Sequence, residues 1–150
     1  MPTDSLAISG ILFAVWLLWL WRSGWLRHQR LETEIRPPHA VQLVLQLCIY
    51  VYWSFYWDEV GHRAQWIAGQ IAFACLFEMC LAMTRGRPWR LRLAPFPVIF
   101  SINLFLWFRD EVFYLQLLVV AFAYLAKEFL TWQRNGRRSH IFNPSAFPLA

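Results

Sequence analysis

Basic residues and apolar blocks alternate along this chain in a pattern that leaves few folds open. Arg22, Arg27, Arg30 and Arg36 separate the first two apolar blocks, and Arg63 alone separates the second from the third. Arg85, Arg87, Arg90 and Arg92 follow the third block, Arg109 alone follows the fourth, and Lys127, Arg134, Arg137 and Arg138 close the series. These groups of four, one, four, one and four contain all 14 Lys and Arg residues. Loops that stay in the cytoplasm keep Lys and Arg, whereas short translocated loops are poor in them. The pattern therefore predicts an all-α, polytopic integral membrane protein with about five transmembrane helices, its N-terminus outside and its C-terminus cytoplasmic.

The blocks are expected to form helices over 6–21, 41–57, 64–84, 93–108 and 112–132, within a single transmembrane helical domain covering 1–150 and ending in a cytoplasmic turn, 133–150. A helix rises about 1.5 Å per residue, so crossing the hydrocarbon core takes roughly 17–25 residues. The first and fourth blocks are short by that measure. Pro95 and Pro97 open the fourth, where a missing N–H costs little, so its helix is expected to start near Phe96. A re-entrant fourth block would put Arg109 and the C-terminal arginines on the wrong sides, which favours a spanning one.

Composition agrees. Hydrophobic residues make up 59% of the chain, aromatics 19% and charged residues 15%, against roughly 45–50% apolar and about 25% charged in an ordinary soluble domain. The first block is expected to be a retained helix and not a signal peptide, because Asp4 precedes it and arginines follow it, the reverse of the usual order. The net charge of +5 is met by basic loops against an anionic leaflet, and no nucleic acid is implied. The loop "RGRPWRLRL", 85–93, reads in the same way, as a determinant of topology.

Site chemistry is sparse. Cys48, Cys75 and Cys80 fall within expected helices, at spacings that form neither a metal knuckle nor a disulfide framework. His28, His39 and His140 are expected inside and His62 outside, with no pair at matching depth for a bis-histidine haem. No Gly-rich phosphate loop, zinc-protease motif or nucleophile elbow is present.

Polarity inside the apolar blocks stands out instead. Gln46, Glu78, Lys127 and Glu128 lie within one to two turns of the expected cytoplasmic helix ends. Ionisable groups in a membrane face the bundle interior or a wet cavity, so Glu78 and Lys127 are expected to pair in an inner-leaflet polar cluster. Lys127 snorkelling to the headgroups is the simpler alternative. Asn103, beside Ser101 and near mid-membrane, needs a hydrogen-bond partner on another helix. Trp21, Trp25, Trp57, Trp66, Trp89, Trp107 and Trp132 sort to block ends as an interfacial belt, whereas Trp16 and Trp19 have no evident role. The aromatic run "IYVYWSFYW", 49–57, can pack against pigment or quinone, although a lipid belt accounts for it more simply.

The segment "KEFLTWQRNGRRSHIFNPSAF", 127–147, together with "PFPVIFSINLFLWF", 95–108, resembles the RnfD/NqrB membrane-subunit family. That family supplies membrane subunits to Rnf electron-transport complexes and to the Na⁺-translocating NADH:quinone reductase, and the likeness is nearest to its enediyne-biosynthesis UnbU branch. The resemblance implies a fold of ten helices in two five-helix halves, of which this chain resembles the N-terminal half. It implies residence in a bacterial inner (cytoplasmic) membrane. It also implies electron transfer involving flavin or quinone, coupled to ion movement. The family links flavin to a threonine in a Gly-Ala-Thr setting, and none of Thr3, Thr33, Thr84 and Thr131 lies in one. From the motif only His140, Asn143, Pro144 and Ser145 carry over, as a turn leading to a further element, with Gly136 expected to cap the last helix.

Two roles follow. One is a non-catalytic subunit that packs with other integral membrane subunits, and with lipid, in a larger respiratory or photosynthetic complex. The other is an electron-transfer subunit contributing to a flavin or quinone site.

Overall fold

The computed structural model describes residues 2–24, 31–35, 37–93, 95–106, 110–134 and 137–140. They form six helices, α1 (Pro2–Arg22), α2 (Pro37–Tyr56), α3 (Asp58–His62), α4 (Ala64–Thr84), α5 (Pro95–Leu106) and α6 (Phe113–Phe129). A 3-10 turn, Asp110–Val112, leads into α6. Four short strands complete the set, β1 (Leu31–Glu34), β2 (Trp89–Arg92), β3 (Thr131–Arg134) and β4 (Arg137–His140). The chain is thus mostly helical. Among the described residues two helices, α1 and α4, are long and apolar enough to cross a membrane.

Of the expected helices, the third coincides with α4 residue for residue, and the others shift at their ends. Pro2 and Pro37 each open a helix earlier than expected, because a proline at the first helical position gives up only an N–H that has no intrahelical partner anyway. The fourth helix shortens to the 12 residues of α5. The fifth ends at Phe129, and the chain leaves it through Leu130, φ −89° and ψ 76°. Beyond it antiparallel β3 and β4 pair from Thr131 opposite His140 to Arg134 opposite Arg137, and Gly136, expected to cap the last helix, lies outside the described residues.

α4 is the hub of the bundle. α1 runs parallel to it, since Phe13 meets Phe73 at 5.2 Å between ring centroids, Trp16 meets Phe77 at 5.8 Å, and Trp16 Nε1 donates to Thr84 Oγ1 at 3.0 Å. Trp16 therefore gains a role that its sequence position did not reveal. α6 is parallel to α4 as well: Trp66 meets Phe113 near the start of both, and Phe77 meets Tyr124 further along. α5 runs the opposite way, because Asn103 in its last turn reaches Gln70 in the second turn of α4. The core gathers Ile67, Ala74, Ile99, Ile102, Val120 and Tyr124.

Gly69 permits the close approach of α1. A Cβ there would lie 2.8 Å from Leu6 Cδ1 and 3.3 Å from Cδ2. Alanine is expected to be absorbed by movement of the flexible Leu6 tip. Isoleucine is expected to force the helices apart and destabilise the protein by roughly 1–3 kcal/mol, the usual cost of overpacking, readable as a lowered midpoint of detergent-induced unfolding.

The parallel arrangement of α1, α4 and α6 gathers their C-terminal ends, with Arg22, Arg85, Arg87 and Lys127, at one end of the bundle. There β1, which follows α1, pairs in parallel with β2, which follows α4. The register sets Glu32 opposite Arg90 and Glu34 opposite Arg92. Asp4, Asp58, Glu59 and Glu111 lie near the opposite end, at the starts of α1, α3 and α6.

Candidate functional site: an amide triad and an ion-pair layer

Three amide side chains converge inside the bundle. Gln70 of α4, Asn103 of α5 and Gln116 of α6 are 1%, 2% and 1% exposed. Asn103 Nδ2 donates to Gln70 Oε1, and Gln70 Nε2 donates in turn to Gln116 Oε1. Asn103 Nδ2 also donates to the carbonyl of Ile99 at 2.9 Å, one turn back. The partner expected for Asn103 on another helix is thus Gln70. Gln70 and Gln116 escaped the sequence reading, although a signal was present: each lies within two turns of the acidic end of its helix, at the level of Asn103.

Buried amides held this way orient three helices, because each bond fixes the rotation and height of one helix against the next. In a low-dielectric interior an unmade bond is costly. The triad contains no titratable group and supports no acid–base chemistry.

Toward the basic end lies a layer of charge. Lys127 Nζ is 3.7 Å from Glu78 Oε1, with the two side chains 21% and 17% exposed, and 5.4 Å from the centroid of the Tyr124 ring. The expected Glu78 and Lys127 pair is present. Glu128 belongs to a second group: its Oε1 accepts from Arg87 Nη1 and lies 3.2 Å from Arg85 Nε. Arg85 in turn sits over the Phe129 ring at 5.0 Å. Adjacent residues on a helix diverge by about 100°, which is why Lys127 and Glu128 serve different partners.

Gln46 departs from the expected cluster. Because α2 starts at Pro37, Gln46 lies more than two turns into the helix, where its Nε2 donates to Ser101 Oγ of α5 at 3.0 Å. One turn later Tyr50 donates to the Phe100 carbonyl at 2.7 Å. Together these bonds fasten α2 to α5. His140 ends β4 opposite Thr131, a strand position in place of the expected turn. Asn143, Pro144 and Ser145 lie outside the described residues.

Among the described residues no group of three His, Cys, Asp or Glu side chains is arranged to hold a metal ion. Thr84, at the end of α4, uses its hydroxyl twice, donating to the Cys80 carbonyl at 2.7 Å and accepting from Trp16.

No protein-family model matches the chain, and no curated protein or solved structure matches it either.

Proposed function

We propose that the chain is a multi-pass subunit of a bacterial inner membrane, non-catalytic on its own, which packs with other membrane subunits to stabilise a larger respiratory or photosynthetic assembly. Its N-terminus is outside and its C-terminus cytoplasmic. α1, α2, α4, α5 and α6 form the transmembrane bundle, with α5 shielded by its neighbours, which is how a 12-residue helix is tolerated at membrane depth.

The observation that carries this reading is an inverted distribution of polarity. Amides and ion pairs close on one another between the helices, while large apolar side chains cover the outside. Leu12 and Val15 of α1, Val44 and Phe55 of α2, and Leu118 and Phe122 of α6 are all more than half exposed. Soluble monomers rarely expose contiguous apolar surface of that extent. The grouping of Arg22, Arg85, Arg87 and Lys127 at one end of the bundle, against Arg63 at the start of α4, supports the orientation. The absence of a flavin-linking threonine context favours a structural role over electron transfer.

Purification of the native assembly in mild detergent tests the proposal. The expected result is co-purification with a set of other membrane subunits and no flavin or quinone in contact with this chain. Flavin bound to this chain would replace the structural reading with the electron-transfer one, and extraction of the chain by alkaline carbonate would remove it from the bilayer altogether.

A further inference from the structure

The aromatic run 49–57 divides between two surfaces. Tyr50 and Trp53 of α2 pack toward the core of the bundle. Tyr52, Phe55 and Tyr56 stand on the outside, with Tyr52 and Tyr56 60% and 75% exposed. The Tyr52 and Tyr56 rings lie one helical turn apart, their centroids at 4.9 Å and their planes tilted by 46°. Among the described residues of α2 Tyr50 alone is buried, so the outer face of this helix is free of the packing that occupies α4 and α6.

Beyond the rings the chain turns a corner at Trp57, whose backbone is extended at φ −132° and ψ 98°. α3 then folds against the last turns of α2: Val60 is buried, and a Cβ on Gly61 would lie 3.9 Å from Ser54 Cβ. This corner holds Asp58 and Glu59, both exposed, just past the tyrosines. Aromatic faces attract cations and carboxylates accept strong N–H bonds from an ammonium, so this end of α2 is complementary to a positive charge. The rest of the helix indicates what carries that charge. Val44, Leu45 and Val51 are exposed and extend an apolar surface up to the tyrosines. Where hydrocarbon contact ends, headgroups begin, and Tyr and Trp are enriched at that boundary.

We propose that Tyr52 and Tyr56 of α2, with Asp58 and Glu59 of α3, form a docking surface for the ammonium headgroup of phosphatidylethanolamine in the outer leaflet. The surface rests on the membrane-spanning reading above. The tyrosine rings attract the ammonium through their faces. The carboxylates accept the N–H bonds that a primary ammonium has and a quaternary one lacks. An anionic lipid has no cation to offer and its phosphate is repelled by the same carboxylates, so the surface selects a zwitterionic lipid, the opposite preference to that of the basic end of the bundle.

The test reconstitutes the full chain, with no other protein, into vesicles of phosphatidylethanolamine and phosphatidylcholine in equal amounts and with the same acyl chains, and counts retained lipids by native mass spectrometry after gentle delipidation. Wild type is expected to retain phosphatidylethanolamine roughly fivefold over phosphatidylcholine, the worth of about one exposed ion pair. The variant D58N/E59Q is expected to lose that preference. The variant Y52L/Y56L is expected to retain less of both lipids, because the rings attract either ammonium. Circular dichroism checks that each variant is folded. If one is not, wild type with N-methylated phosphatidylethanolamines carries the comparison, and retention is expected to fall with each N–H replaced by methyl. An inserted wild-type chain with no preference for phosphatidylethanolamine, or a preference unchanged in D58N/E59Q, overturns the headgroup site and leaves the membrane reading intact. Failure to insert overturns both. A dependence on Asp58 and Glu59 that appears only when co-purifying subunits are added would assign the surface to a basic protein partner and overturn the proposal.

Discussion

Gln70→Met is expected to destabilise the bundle more than any other single change within the amide triad. Gln70 is the middle member, giving a hydrogen bond to Gln116 and taking one from Asn103, so its loss removes a partner from two buried amides at once. A buried polar group left without its partner costs about 1–3 kcal/mol. Interhelical hydrogen bonds in membranes average nearer 0.6 kcal/mol, up to roughly 1.7. A loss of roughly 2 kcal/mol is therefore expected for Gln70→Met and about 1 kcal/mol for Asn103→Leu, which breaks one interhelical bond. The informative comparison is the triple variant with Leu at Asn103 and Met at Gln70 and Gln116. Once all three amides are gone none of the three is itself left orphaned, so the triple is expected to be more stable than Gln70→Met alone, a non-additivity that simple loss of packing does not produce. Unfolding midpoints in a denaturing-detergent titration give the result directly. A triple variant with the summed deficits of its singles would show that the triad contributes only volume.

The ion-pair layer is expected to respond asymmetrically. Lys127→Met takes the ammonium away from the Glu78 carboxylate and removes the contact with the Tyr124 ring. Glu78→Gln leaves Lys127 with that ring and with a long stem that can carry its ammonium to the interface. Removing one partner of a fully buried pair costs about 3–5 kcal/mol. With side chains near a fifth exposed, roughly 2 kcal/mol is expected for Lys127→Met and about half that for Glu78→Gln. The double variant Glu78→Gln/Lys127→Met is expected to recover most of the larger loss, because it contains no uncompensated charge. Equal effects of the two single substitutions, or no recovery in the double, would reassign Lys127 to the headgroup region and remove the pair from any part in stability.

How much of this was legible in the sequence varied with the range of the interaction. α4 was delimited from sequence alone because Arg63 and Arg85-Gly86 punctuate an otherwise apolar run. The Glu78 and Lys127 pair was legible because both residues could be counted inward from helix ends at the basic side. The same counting from the acidic side brings Gln70, Asn103 and Gln116 together, but a neutral glutamine in an apolar block attracts less notice than a charge. Gln46 was misplaced by the four residues that separate Pro37 from the expected start of its helix. β1 and β2 were not legible, since their partnership depends on the packing of α1 beside α4. β3 was not legible, because the apolar character of Leu130 and Trp132 extended the expected helix past its end.

The orientation of the bundle in a membrane is the central claim, and one labelling experiment addresses it. Cys48, Cys75 and Cys80 are replaced by alanine, and single cysteines are introduced in place of Asp58 in α3 and Ser139 in β4. Intact bacterial cells are then treated with a membrane-impermeant maleimide. The proposed orientation predicts that the cysteine at 58 labels in intact cells and that the cysteine at 139 labels only after the inner membrane is opened. Labelling of both from the same side, or of position 139 alone in intact cells, would contradict it.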